Sequence, residues 1–138
     1  MVLSMTVGSK TRWVGVDPGG SQERLTGQRD DSVIDLAHLE LRPTEGFALV
    51  DGRPLKLSVR EFGLLAELAR NEGRVVSRQA LYGHVWGGDL RAGDRTIDVY
   101  VRRLRVKLAE QLPDWAFIHT HIGFGYRLQP EPVGESFR

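Results

Sequence analysis

Residues 94–108 read DRTIDVYVRRLRVKL, and their spacing predicts an amphipathic helix from about Asp94 to about Gln111. At 100° per residue, four apolar side chains fall within about 60° of one another. These four are Ile97, Val101, Leu104 and Leu108. The opposite side carries a mixed strip of arginine and valine: Arg95, Val99, Arg102 and Val106. One face of the helix is therefore expected to pack on a core while the other faces outward.

The outward face has the chemistry that a DNA major groove requires. Arginine donates bidentately to guanine, aspartate accepts from cytosine N4, and valine contacts a thymine methyl. Helix geometry directs Asp98 and Arg102 toward such a groove, exposes Val99 and places Arg103 to the side. Residues 102–107 hold four cations in six positions, which attracts phosphates whatever the base sequence. A solvated surface helix explains the same composition, so the neighbouring elements have to separate the two interpretations.

The flanking sequence predicts a winged helix-turn-helix of the α+β class. Ser77 caps a shorter helix that ends at Trp86, and residues 58–61 form a capping box for an earlier amphipathic helix. Residues 33–57 alternate as short strands with an Asp51-Gly52 turn, which predicts an N-terminal antiparallel β-meander. Strands at 117–120 and 125–128 predict a C-terminal hairpin, the wing, which reaches the DNA backbone or minor groove beside the third helix.

Length and glycine content divide the chain into three segments. The 138 residues suit one domain. Residues 1–31 hold five of the sixteen glycines and no sustained periodicity, so they are expected to form a flexible N-terminal arm. Residues 32–129 are expected to form the winged-helix DNA-binding domain, and residues 130–138 a C-terminal tail.

Charge is unevenly distributed along a nearly neutral chain. The net charge is +1, but residues 74–107 carry eight basic and three acidic side chains, whereas residues 30–72 carry five basic and nine acidic ones. A local excess of this kind steers an anionic partner even when the whole chain is neutral.

Several other classes of protein have no support in the sequence. The absence of cysteine excludes a disulfide scaffold, a thiolate zinc site and a cysteine nucleophile. His119 and His121 share one strand face, but two ligands are too few for a structural metal site. Residues 123–125 lack the third glycine of a dinucleotide loop. No motif supports an enzyme, and we expect no metal, no cofactor, no signal peptide and no membrane partner.

The chain from about Leu39 to Leu128 resembles the C-terminal effector domain of the OmpR/PhoB family of bacterial response regulators. The motifs that carry the resemblance are LSVREFGLL at 57–65, GRVVSRQAL at 73–81, HVWG at 84–87, the 94–108 stretch and GFGYRL at 123–128. The resemblance implies a cytoplasmic, nucleoid-associated transcription regulator. Its implied partner is double-stranded DNA at promoter repeats, bound as a head-to-tail homodimer.

The resemblance also implies roles for individual residues. Asp98 and Arg103 correspond to base contacts, to which the helix geometry adds Val99 and Arg102. The candidate backbone contacts on or beside the helix are Arg95, Thr96, Tyr100, Arg105 and Lys107. Those in the wing are Thr120, His121, Tyr126 and Arg127. The loop from Trp86 to Gly93 corresponds to a segment that some members present to RNA polymerase, with Trp86, Asp89, Leu90 and Arg91 as candidates.

Two departures from the family pattern leave alternatives open. Ile122 stands where the family wing usually has a basic residue, so either His121 or Arg127 takes that role or the minor-groove contact is lost. Residues 1–31 are too short for a receiver domain, so control by phosphorylation is not inferred. The competing function is a winged-helix module that docks RNA polymerase or another protein without operator specificity.

Overall fold

The computed structural model describes residues 32–134, so the predicted arm of residues 1–31 lies outside the described residues. The described part contains two sheets and three helices, in the predicted order of meander, helices and hairpin. Its elements are β1 (Ile34–Leu36), β2 (Leu39–Arg42), β3 (Phe47–Val50), β4 (Arg53–Leu55), α1 (Val59–Arg70), β5 (Val75–Val76), α2 (Arg78–Val85), α3 (Thr96–Gln111), β6 (Trp115–His121) and β7 (Gly125–Pro132).

The first sheet is the predicted antiparallel meander, with strand order β1-β2-β3-β4. Alternate residues of β2 and β3 point into the core: Leu39 and Leu41 from one strand, Ala48 and Val50 from the other. The Asp51-Gly52 turn has φ of 49° and 82° at its two residues. Positive φ at both central positions gives the twist that joins adjacent antiparallel strands, as the sequence predicts.

Side-chain caps start the first two helices where the sequence places them. Ser58 Oγ accepts from the Glu61 amide at 3.1 Å, and the Ser58 amide donates back to Glu61 Oε1 at 2.9 Å, which completes the capping box of α1. Ser77 Oγ accepts from the Ala80 amide at 3.0 Å at the start of α2. Helix α3 begins at Thr96, whose amide donates to Asp94 Oδ1 at 2.9 Å.

A single hydrophobic cluster joins the helices to both sheets. The four apolar positions predicted for α3 are all buried, and they pack with leucines of the other elements, including Leu64 and Leu68 of α1, Leu81 of α2 and Leu128 of β7. Burial of this stripe fixes the rotation of α3 about its axis, so its other faces are directed outward.

The second sheet contains a strand that the sequence analysis missed. Its order is β5-β7-β6, with two-residue β5 antiparallel to the longer β7. A two-residue strand shows no alternation that a sequence pattern can register. Strand β7 also continues to Pro132, paired with Trp115, so the hairpin extends three residues beyond the domain boundary predicted at 129.

Gly125 is the first residue of β7 and packs against the backbone of β5. Its φ is +147°, and a Cβ atom at this position would lie 2.1 Å from the carbonyl oxygen of Val76. Only glycine fits such a close backbone approach. The turn end of β7 is therefore held against the segment that leads into α2.

Candidate nucleic-acid interface

The outer strip of α3, defined as Val99, Arg102, Arg103 and Val106, is exposed along its length. The Arg102 side chain makes no hydrogen bond or ion pair with any other residue that the structure describes. The Arg103 guanidinium lies over the ring of Tyr100, with Cζ 4.8 Å from the ring centroid. A groove of about 540 Å³ runs beside the strip and is bordered by Glu61, Lys107 and Glu110. The strip thus combines two exposed valines with two arginines whose donors face outward.

Asp98 is the centre of a hydrogen-bond network that joins three elements. Its Oδ1 accepts from Arg78 Nε at 2.7 Å and from the Tyr126 hydroxyl, and its Oδ2 accepts from Arg95 Nε at 2.7 Å. The side chain is 16% exposed. A carboxylate has about four acceptor positions, so one position on Oδ2 is left for a further donor. The network connects α2, α3 and the wing.

The ionisation of Asp98 reflects this network. Burial by itself would raise the pKa of the carboxyl, but hydrogen bonds from Tyr126, Arg78 and Arg95 outweigh it and lower the pKa from 3.8 to about 2. Burial and the bond to Asp98 raise the pKa of Tyr126. The carboxylate therefore stays charged at neutral pH and holds both guanidiniums in fixed positions.

Arg105 braces α3 against the wing. Its Nη2 donates to the Ile118 carbonyl at 2.9 Å and to Thr120 Oγ1 at 2.7 Å. Its Cζ also lies 5.7 Å from the centroid of the Tyr126 ring. Arg105 and Thr120, both expected to contact phosphate, are thus engaged with each other.

Lys107 braces α3 against α1. Its Nζ donates to Glu61 Oε1 at 2.6 Å, and the Glu61 side chain is almost fully buried. Burial raises the pKa of Glu61, whereas Lys107 and the Ser58 cap lower it by more, so the net shift is downward. An ammonium has three donors, so Lys107 keeps donors for a phosphate in addition to this pair.

The remaining helix candidates lie at the start of α3. Arg95 is exposed and bonded to Asp98, whereas Thr96 donates its hydroxyl to Asp94 Oδ1 at 2.6 Å. Tyr100 is partly buried and packs edge-on against Trp86, with centroids 5.0 Å apart. Of these three residues only Arg95 carries a charge, and its side chain is exposed.

The wing candidates form one cluster at the foot of the hairpin turn. Arg127 Nε donates to His121 Nε2 at 3.0 Å, and both side chains are partly exposed. Tyr126 is buried, with its hydroxyl on Asp98. The turn itself exposes Ile122 and Phe124.

The loop between α2 and α3 divides into a packed start and an exposed middle. Trp86 stacks on Tyr82 with ring centroids 5.5 Å apart, and Arg60 Cζ lies 5.4 Å from the Trp86 ring centroid. Asp89 and Arg91 are exposed, and Leu90 is half-buried. Trp86 therefore joins the helices, while Asp89 and Arg91 are accessible to a partner.

Arg78 is a candidate contact that the sequence analysis did not select. It lies at the start of α2 and borders a concavity of about 400 Å³ together with Arg91 and Arg95. Helix N-termini favour anions, and three arginines add to that preference. The Ser77 cap predicts that Arg78 is the first residue of α2, and the start of a helix is where anions bind, so this position could have been selected from the sequence.

Neither a metal site nor a membrane span is found within residues 32–134. No group of three or more potential ligands could hold a metal ion in this range. His119 Nε2 lies 2.8 Å from the Gln129 carbonyl oxygen, and His121 contacts Arg127. In the same range, the helices lack the length and apolar character needed to cross a bilayer.

Residues 52–128 match the protein family described as "Transcriptional regulatory protein, C terminal". Among curated proteins, the sensory transduction protein RegX3 of Mycolicibacterium smegmatis is 37% identical over 100 residues, which cover 72% of this chain and 44% of RegX3. The phosphate regulon transcriptional regulatory protein PhoB of Escherichia coli is 36% identical over 104 residues, covering 75% of this chain and 45% of PhoB. The chain thus spans less than half the length of these relatives.

Two solved structures are similar over nearly their whole length. The DNA-binding domain of CpxR from E. coli aligns with a TM-score of 0.66 and 35% identity, covering 71% of this chain and 96% of that one. The RstA DNA-binding domain of Klebsiella pneumoniae, crystallised in complex with the RstA box, aligns with a TM-score of 0.64 and 30% identity, covering 70% and 96% respectively.

Proposed function

This chain belongs to the OmpR/PhoB-type family of winged-helix DNA-binding domains, a family of transcription regulators and not of enzymes, and on that basis we propose that it is a sequence-specific regulator that binds double-stranded DNA. In this proposal α3 enters the major groove and the wing lies at the backbone or minor groove. The proposed regulator acts in the cytoplasm and associates with the nucleoid when it is bound to DNA.

The observation that carries the proposal is the outer strip of α3. Arg102 and Arg103 are exposed between two exposed valines, although most other charged side chains of the helix are paired within the protein. A merely solvated helix gains nothing from exposed valines, whereas a groove offers thymine methyls and guanine acceptors to the same strip.

Base contacts are assigned to the outer strip and to Asp98. Arg102 and Arg103 donate to guanine, Val99 contacts a thymine methyl, and Asp98 accepts one cytosine N4–H at its remaining Oδ2 position. Asp98 also positions Arg78 and Arg95, so that its removal affects both base reading and phosphate binding.

Backbone contacts surround this strip. On the helix side, the phosphates meet Arg78, Arg95, Thr96, Tyr100, Arg105 and Lys107. On the wing side they meet Thr120, His121, Tyr126 and Arg127. Arg95, Arg105 and Lys107 all have protein partners, but the Arg95 side chain is 76% exposed and that of Lys107 only 36%, so Arg95 is expected to contribute more to affinity than Lys107.

Association with a second copy and with RNA polymerase completes the proposal. A head-to-tail homodimer on promoter repeats would place two recognition helices on one face of the duplex. The polymerase would meet the loop at the exposed Asp89 and Arg91 and the half-buried Leu90. Trp86, the first residue of the loop, is held by stacking on Tyr82.

The test is selection of bound sequences from a random duplex library by the full chain. We expect an enriched motif that occurs as direct repeats spaced by about one helical turn, about 10–10.5 base pairs. The affinity for the enriched duplex should fall steeply with salt, since each phosphate contact releases counterions. Failure to enrich any sequence would contradict the proposal and favour the alternative, a protein-interaction module that docks RNA polymerase.

Variants divide the base contacts from the backbone contacts. Arg103→Ala should relax the preference at one position of the motif, at a cost of about 1–3 kcal/mol. Arg95→Ala should weaken every sequence alike and reduce the salt slope by about one. Arg53→Ala, which removes an exposed arginine from β4, is the matched control and should leave binding unchanged.

A further inference from the structure

The tip of the wing carries two large apolar side chains that stay largely exposed. Ile122 is 89% exposed and Phe124 is 75% exposed, on either side of Gly123. No other described residue pair places two side chains of this size so openly beside one turn. Exposed apolar surface at one defined place is characteristic of a contact site.

The tip is held rigidly relative to α3. The Phe124 amide donates to the His121 carbonyl at 2.8 Å, and Gly123 supplies the positive φ of +85° that the tight turn requires. Below the turn, Gly125 is pressed against Val76 and Arg105 holds β6. A rigid mount of this kind preserves the position of Ile122 and Phe124 while α3 occupies its groove.

Two arginines lie beside the apolar tip. Arg127 lies directly below it and donates to His121, and Arg105 lies at Thr120, one residue further along β6. The pattern is an apolar tip with positive charge at its foot. A duplex minor groove offers the complement, with phosphates along both rims and apolar base faces between the base pairs.

We propose that Ile122 and Phe124 form a wedge that enters the minor groove, partly unstacks one base-pair step and bends the duplex. The proposal rests on the proposed function, since it requires α3 to be docked in the neighbouring major groove. Isoleucine and phenylalanine are among the side chains that open base steps in this way. The wing therefore contributes to recognition by deforming DNA, not by placing a cation in the groove.

The wedge also specifies which sequences are favoured. Pyrimidine–purine steps unstack at the lowest cost. The duplexes that the chain selects should hold a TA or CA/TG step at the place that the wing reaches, beside the bases read by α3. Specificity at this step would arise without any hydrogen bond to its bases.

The experiment measures bending of the duplex enriched by the wild-type chain. Energy transfer between dyes at the two ends reports the bend, and 2-aminopurine placed at the step reports unstacking. We expect a bend of about 20–90° for the wild type. The double variant I122A/F124A should lose most of the bend and the fluorescence rise, and should bind about tenfold more weakly.

Two further variants control the result. Val59→Ala removes an apolar side chain that is equally exposed, at 87%, but lies at the start of α1, so bending and affinity should not change. Ile122→Arg should bind more tightly than I122A/F124A, and its affinity should depend on salt more steeply by about one counterion. The duplex should nevertheless bend less than with the wild type. Thermal unfolding midpoints should be the same for all three variants and the wild type, because the altered side chains are exposed.

The outcomes separate the two proposals. If the wild type selects and binds a motif but leaves it straight, or if I122A/F124A bends it as well as the wild type, the wedge is wrong and the proposed function stands. A bend restored by Ile122→Arg would also overturn the wedge, since charge would then explain it. If no duplex is enriched, both proposals fail.

Discussion

Two sets of charged side chains on α3 differ in what they contact. The braced set, defined as Asp98, Arg105 and Lys107, is bonded to α2, to the wing and to α1. The outer strip contains Arg102, whose side chain bonds to no residue within 32–134, and Arg103 above the ring of Tyr100. Both sets come from the same sixteen-residue helix.

The difference shows that charge density does not by itself identify an interface. Helix α3 carries four basic side chains. Arg105 and Lys107 bond to other elements and hold the helix in place, whereas Arg102 and Arg103 are available to a ligand. The braced set gives the outer strip a defined direction, since α3 is tied to its neighbours on three sides. Variants of the two sets should therefore separate stability from binding.

The largest effect is expected from Gly125→Ala. The change disrupts the start of β7, directly beside Tyr126, which bonds to Asp98 of the braced set. The new Cβ would lie 2.1 Å from the Val76 carbonyl oxygen, so β5 and β7 must separate. We expect a loss of about 3 kcal/mol or more in the free energy of unfolding, measured by urea denaturation.

Gly46→Ala is the matched control. Its φ is also positive, at +78°, but a Cβ there would meet open space. The cost should be about 1–2 kcal/mol, from the left-handed conformation alone. Equal losses for the two variants would show that the close approach at Gly125 contributes nothing.

Asp98→Ala tests the centre of the braced set. The change leaves two guanidiniums and the buried Tyr126 hydroxyl without their acceptor. We expect the free energy of unfolding to fall by about 2–3 kcal/mol, together with weaker binding to every duplex. Asp89→Ala, in the exposed loop, should change the stability by less than about 0.5 kcal/mol.

The pair Arg102→Ala and Arg105→Ala compares the two sets directly. Arg102→Ala should lower the affinity for the enriched duplex by about 1–3 kcal/mol, mainly through one base position, with no change in unfolding. Arg105→Ala should cost about 1 kcal/mol in unfolding because its bonds to Ile118 and Thr120 are lost. Identical profiles in chemical denaturation and in binding would remove the distinction between the sets.

An effect of pH is also expected. The pKa of Asp98 is about 2 in the folded chain and about 4 when unfolded, so its contribution is complete above pH 4 and is lost as the pH falls toward 2. The loss is on the order of 2 kcal/mol in unfolding free energy, measured by denaturation at a series of pH values. Asp98→Asn should show a flatter dependence in this window. An unchanged slope would assign the acid sensitivity to other groups.

Local chemistry made much of the fold predictable. The capping serines at 58 and 77, the apolar stripe of α3 and the Asp51-Gly52 turn each act within a few residues, and all occur where the sequence places them. Strand β5 was missed because two residues carry no period, and its pairing with β7 depends on a contact across some fifty residues of chain.

The candidate site was less predictable than the fold. Helix geometry identified the outward side of α3, and this is confirmed for Val99 and Arg102 by their exposure. It could not show that Asp98, Arg105 and Lys107 have partners in other elements, and it gave no reason to select Arg78. The roles of all these residues in DNA binding remain predictions.

By itself the sequence determined the order of the elements other than β5, the buried face of α3 and the family, because periodicity, caps and turn residues act locally. Only the tertiary structure decided which charges are available. Glu61 reaches Lys107, Asp98 reaches Arg78 and Tyr126, and Arg105 reaches Ile118 and Thr120 only when distant segments pack together. A charged side chain is identified by its residue type, but its freedom to meet a ligand depends on the groups that folding brings within hydrogen-bond distance.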